Sequence, residues 1–154
     1  HPFTKDIESF ATALQGIRAD GGGDGPESLN QALAVTVGRM GWRANAAKVA
    51  FLVADAPPHL DYDGDVHYGF SAQAALQRGI RVHSVAASGL DGLGTLVFRQ
   101  VAQLTRGKFV FIEYGTTEQS AASHGVGGKV SSNNLDDILF EQIRDEVAGW
   151  GRGD

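Results

Sequence analysis

Val49 to Ala54 is an unbroken apolar run, bounded by Lys48 on one side and by Asp55 and Pro57-Pro58 on the other. It is too short for an independent helix, and prolines cannot continue a sheet ladder. The run therefore reads as a strand buried on both faces, the kind found inside a parallel sheet. In open α/β folds, ligands bind beyond the carboxyl ends of the strands, which is where Asp55 stands. The plainer reading is that Asp55 only caps a turn.

The flanking segments alternate between strand and helix patterns. Ile7, Phe10, Ala11, Leu14 and Ile17 follow helical spacing, so residues 4–19 are expected to form an amphipathic helix capped by Thr4. Gly21 to Gly25 break it. Pro26 suits the first position of a second helix, with Leu29, Ala32, Leu33, Val37 and Met40 as its buried stripe. After the first strand, Ser71 can cap a helix running to Arg78, and Gly79 stops it. Residues 80–87 read as a second strand. Residues 95–105 read as a helix turning Leu96, Val97, Val101 and Leu104 inward. Residues 108–114 read as a third strand, and 115–132 form a polar loop. Asn133 or Asn134 caps a last helix carrying Leu135, Ile138, Leu139, Ile143 and Val147 on one face.

Strands alternating with helices imply βαβ crossovers and a parallel sheet. The second helix runs down into the first strand, so its start lies at that strand's carboxyl end. Asp24 is then expected near Asp55, and the loop from Ser88 to Asp91 opens on the same surface. A length of 154 residues fits one domain, 1–148, with a tail at 149–154. The net charge of −5, with acids and bases interspersed, argues against nucleic acid as partner. No apolar run reaches the length of a membrane span. The absence of cysteine excludes disulfides and thiolate metal sites.

Asp24 and Asp55 suit a hard cation, Mg²⁺ or Ca²⁺, although two carboxylates need further oxygen ligands. Asp24 can instead serve as a loop residue accepting backbone N–H bonds. The glycine run lacks the Gly-Lys-Ser/Thr ending of a phosphate loop and follows a helix, not a strand. Asp61, Asp63 and Asp65 resemble a calcium loop, but Val66 and Ala72 stand where it needs glycine and glutamate. His59 and His67 have no zinc-like spacing. No nucleophile elbow is present. The terminal Arg152-Gly153-Asp154 matches the integrin-binding tripeptide, a match short enough to arise by chance.

Gly21-Gly22-Gly23-Asp24-x-Pro26-Glu27 and Ala54-Asp55-Ala-Pro-Pro-His59 together resemble the von Willebrand factor type A family, in its hemicentin-like and bacterial branch. Gly79-Ile80-Arg81-Val82, Phe98-Arg99-Gln100-Val101-Ala102, Thr105-Arg106-Gly107-Lys108-Phe109 and Asn133-Asn134-Leu135-Asp136-Asp137 extend the resemblance over nearly the whole chain. It implies a three-layer, doubly wound, Rossmann-like α/β fold with a mainly parallel sheet. It also implies an extracellular or cell-surface role in protein recognition through a metal-ion-dependent adhesion site.

Asp24 and Asp55 match the second- and third-loop ligands of that site. The family's first-loop Asp-x-Ser-x-Ser motif has no counterpart here, and the family's N-terminal strands would precede His1. The resemblance thus implies the C-terminal part of a domain, with weak Mg²⁺ or Ca²⁺ binding. The first apolar strand would then have an open edge, taken by the domain's own N-terminal segment or by a second copy of the chain. A metal-dependent hydrolase using Asp24, Asp55 and His59 is the different-class alternative, and a metal-free scaffold is a third.

Overall fold

The computed structural model describes residues 2–18, 25–87, 90–112 and 134–150. Within them the chain is a mixed α/β structure built on a three-stranded parallel sheet of order β1-β2-β3. The strands are β1 (Lys48–Ala54), β2 (Ile80–Ala86) and β3 (Phe109–Phe111). The helices are α1 (Ile7–Gln15), α2 (Leu29–Arg39), α3 (Tyr68–Gln77), α4 (Gly92–Leu104) and α5 (Leu135–Gly149). Lys48 pairs with Ile80 and Ala54 with Ala86, while β3 joins β2 through Ser84–Phe109 and Ala86–Phe111. The expected parallel neighbours are therefore in place.

Strand alternation divides the core in two. Ala50, Leu52, Ile80, Val82, Ala86, Phe109 and Phe111 face a cluster with Leu29, Leu33 and Val37 of α2, Ala75 of α3 and Val97, Phe98 and Val101 of α4. Phe51, Val85, Val110 and Ile112 face Leu135 and Ile138 of α5. Helices thus cover both sides of the sheet. Each fully buried side chain such as Phe98 contributes about 1.5–3 kcal/mol of burial free energy.

Burial departs from the sequence reading at several elements. β1, expected to be buried on both faces, is half-buried throughout, and Val53 is 45% exposed. The most buried strand is β2, at every position but Arg81, because it alone among the described strands has a neighbour on each side. In α4 the inward face is Val97, Phe98, Val101 and Ala102, and the expected Leu96 and Leu104 face solvent. Ala32 of α2 is exposed, as are Ile143 and Val147 of α5.

Helix α1 is shorter than expected. Its cap is Asp6, whose side chain accepts from Ser9 N–H at 3.0 Å, while Thr4 accepts from Asp6 N–H. Its apolar stripe lies open, with Ile7 80% exposed. Helix α2 starts at Leu29 and not at Pro26, because the backbone of Glu27 is engaged elsewhere. Helix α3 is capped by His67, whose Nδ1 accepts Gly69 N–H, and Ser71 lies buried inside the helix. Gly79 ends that segment with φ 66, in the left-handed region that favours glycine. Helix α4 begins at Gly92, capped by Asp91. Asn134 caps α5 as expected.

The turn from α4 to β3 is tightly fixed. Gly107 N–H reaches Ala102 O at 2.8 Å and Arg106 N–H reaches Gln103 O at 3.3 Å, the paired bonds of a Schellman ending. A Cβ on Gly107 would lie 2.0 Å from the Val82 carbonyl oxygen, so only glycine fits there. The buried Thr105 hydroxyl accepts from Val82 N–H at 3.1 Å and donates to Val101 O at 2.8 Å, pinning the end of α4 to the start of β2.

Candidate functional site at the carboxyl ends of the strands

The parallel register brings the loops after β1 and β2 to one end of the sheet. Ala87 N–H donates to Ala54 O at 2.9 Å, carrying the ladder just past the strand ends. Beyond it the chain from Asp55 to His59 turns against the entry of α2. Glu27 N–H donates to Pro57 O at 2.8 Å, and His59 N–H donates to Glu27 O at 2.9 Å, so Glu27 and Pro58 form a parallel bridge. The expectation that α2 begins at the carboxyl end of β1 is met by these bonds. The entry of α4 closes on the same loop: a Cβ on Gly94 would stand 3.2 Å from Pro57 Cα.

The carboxylates in these loops differ in how they are used. Asp91 is committed to capping α4, its Oδ1 accepting Gly94 N–H at 2.7 Å. Asp61 Oδ1 lies 2.9 Å from His59 Nδ1, and this hydrogen bond holds the Asp61 carboxyl below the usual carboxylate range. His59 is 9% exposed, with its ring stacked on Tyr62 at 4.1 Å. Asp55 is exposed and makes no hydrogen bond or ion pair among the described residues. It is thus a carboxylate left available at this end, and the one that directly follows a strand. Asp24 lies outside the described residues, as do 113–133, Arg152, Gly153 and Asp154.

Asn30 was not legible as a site residue. It is 3% exposed; its Nδ2 donates to His59 O at 3.2 Å, and its Oδ1 accepts Tyr68 N–H at 2.8 Å. One side chain therefore joins α2, the loop after β1 and the start of α3. The available signal was spacing, since Asn30, Leu33 and Val37 lie on one helix face.

A second polar cluster lies under α5. His83 is fully buried on β2; its Nδ1 accepts Lys108 N–H at 3.1 Å, and its Nε2 stands 3.3 Å from Glu146 Oε1. Arg81 reaches Glu146 at 3.1 Å. Burial pushes the His83 imidazole below the usual histidine range, against the opposing pull of Glu146.

Among the described residues, no three His, Asp or Glu side chains converge closely enough to hold a metal ion. Asp55 alone supplies one hard oxygen ligand, an incomplete set for Mg²⁺ or Ca²⁺. No helix among the described residues is long and apolar enough to cross a membrane. No family model and no curated protein sequence matches the chain.

Proposed function

We propose that this chain is a protein-recognition module of the von Willebrand A type, acting at the cell surface or outside the cell. Its ligand-facing surface is the sheet end where Asp55 stands, with Asp24 and Asp55 holding Mg²⁺ or Ca²⁺ weakly. The doubly wound arrangement of that family, with further strands beyond β1, belongs to the same reading. The observation that supports it is the convergence of the α2 entry, the Asp55–His59 loop and the α4 entry, carried by Glu27, Pro57 and Gly94.

Asp91 and Asp61 are occupied in that convergence, and Asp55 is open to solvent. A cation held by two carboxylates keeps coordination positions for water or for an acidic group of a partner. Partners presenting a carboxylate are therefore the kind this surface suits. The test is retention of proteins on the immobilised chain in Mg²⁺ and in chelator, for the native chain and Asp55→Ala. Retention that needs both Mg²⁺ and Asp55 supports the reading. Retention indifferent to chelation and to Asp55→Ala contradicts it.

The hydrolase reading draws on one observation, the contact of His59 Nδ1 with Asp61. A carboxylate that orients an imidazole is a general-base arrangement. The burial of His59 and its stacking on Tyr62 weigh against free access of substrate. Turnover of a generic ester or phosphoester, lost in Asp55→Ala and His59→Ala, would favour this second reading.

A further inference from the structure

The charges of the chain are sorted along the strand direction. Asp55, Asp61, Asp63, Asp65 and Asp91 lie in loops at the carboxyl ends, whereas Lys48, Arg78, Arg81, Arg106 and Lys108 lie at or near the amino ends. A chain of net charge −5 thus presents a basic end. A cleft of about 510 Å³ opens there, between the starts of β1 and β2, the α4–β3 turn and the end of α5. Lys48, Arg81 and Arg106 bring cations to it from three parts of the chain, and Leu76 and Trp150 give it an apolar side.

Two acids also line the cleft, and both are already neutralised. Asp145 meets Lys108 at 3.3 Å and Arg144 at 3.0 Å, and Glu146 meets Arg81 at 3.1 Å. The Lys48 ammonium donates to the neutral Arg78 carbonyl at 2.8 Å, which leaves its charge uncompensated. The Arg106 guanidinium has neither an ion pair nor a hydrogen bond among the described residues. Arg106 stands in the turn three residues before Phe109, and Arg81 three residues before its partner Ser84, so both line the cleft at the amino end of the sheet.

The backbone of Arg106 supplies an independent observation. Its φ of 59 makes it the one non-glycine residue in the left-handed region among those described. It occupies the position of a Schellman ending that usually takes glycine. Arg106 is thus an arginine in the left-handed region with an uncommitted charge at a cleft.

We infer that this cleft binds an oxyanion, a phosphate or a carboxylate, carried on a planar apolar body. The Arg106 guanidinium presents paired N–H groups to the oxygens of such a group and Lys48 adds a point charge, while Arg81 stays with Glu146, and the body lies against Trp150. The cleft volume is in the range of small-molecule sites.

Phenyl phosphate and benzoate are the probes, with inorganic phosphate as the comparison, read by the Trp150 indole N–H signal in NMR. The signal is assigned by its loss in Trp150→Phe. The expected result is a saturable shift with either aromatic anion; the tighter of the two identifies the preferred oxyanion. Inorganic phosphate should bind at least about threefold more weakly than phenyl phosphate. Arg106→Gly suits the left-handed backbone, so it should fold at least as stably as the native chain while weakening the aromatic anion about tenfold. Arg106→Lys keeps the charge but not the planar fork, so its affinity should fall between those of the native chain and Arg106→Gly. Absence of a saturable shift, equal affinity for inorganic phosphate, or unchanged affinity in a folded Arg106→Gly would each overturn the inference.

Discussion

Asn30 Nδ2 donates to the carbonyl of His59 at 3.2 Å, from inside the core. The same amide accepts Tyr68 N–H at 2.8 Å, so the candidate surface is tied to α2 and α3 by one side chain. Asn30→Leu removes the bond to the His59 carbonyl and the acceptor of the buried Tyr68 N–H. A buried group that loses its partner costs about 1–3 kcal/mol, and we expect a loss in that range in urea denaturation. A loss below about 0.5 kcal/mol would show that water replaces Asn30 freely.

His83 makes stability depend on pH. Its folded pKa is depressed by burial, and the groups facing it are Glu146, Arg81 and Lys108, with the Phe51 ring stacked at 5.3 Å. The unfolded imidazole takes a proton near pH 6.5, and the folded one takes it only at lower pH. Below that pH the unfolded state binds more protons, so stability falls as pH drops from about 7 towards the folded pKa. The thermal midpoint should fall over this interval, and the slope should flatten in His83→Gln. An equal slope in His83→Gln would assign the effect to other groups.

Much of this framework was legible in the sequence, for definite reasons. The apolar run at 49–54 and the strand-like stretch at 80–86 are too short for helices and are separated by one helical segment, so parallel pairing followed. Asp55 was legible because Pro57-Pro58 ends the strand just beyond it. Burial was less legible, because periodicity reports a pattern and not a neighbour. β1 has a buried-strand sequence but pairs with β2 alone among the described strands. In α4, Leu96 and Leu104 flank Val97, Phe98 and Val101 so closely that two faces looked equally apolar. Contacts such as His83 with Glu146 join residues far apart in sequence and leave no local trace.

β1 has a strand neighbour on one side only among the described residues, and this leads to a prediction about association. Val49 to Ala54 contains no charge or proline to guard an edge, and Val53 is 45% exposed. We expect the chain to form dimers or larger species by light scattering at tens of micromolar. Val53→Lys on this strand should shift the population towards monomer. A native chain that stays monomeric and resists proteolysis would contradict this.

Gly107 permits a stringent check of the α4–β3 turn. With an added Cβ only 2.0 Å from Val82 O, Gly107→Ala forces β2 and the turn apart. We expect a loss of more than about 2 kcal/mol in chemical denaturation. Gly79→Ala has open space around its Cβ and only the left-handed φ of 66 to contend with, so it should cost about 1 kcal/mol. The reverse order would mean that the backbone approach at Gly107 is misplaced.

Calorimetric titration with Mg²⁺ and with Ca²⁺, for the native chain and Asp55→Ala, tests the central claim most directly. Asp55 is an exposed, uncommitted carboxylate directly after β1, and Asp24 is its proposed partner. With so few carboxylate ligands the account predicts weak, millimolar-range binding that disappears in Asp55→Ala. Micromolar binding that survives Asp55→Ala would place the cation elsewhere and contradict the proposed surface.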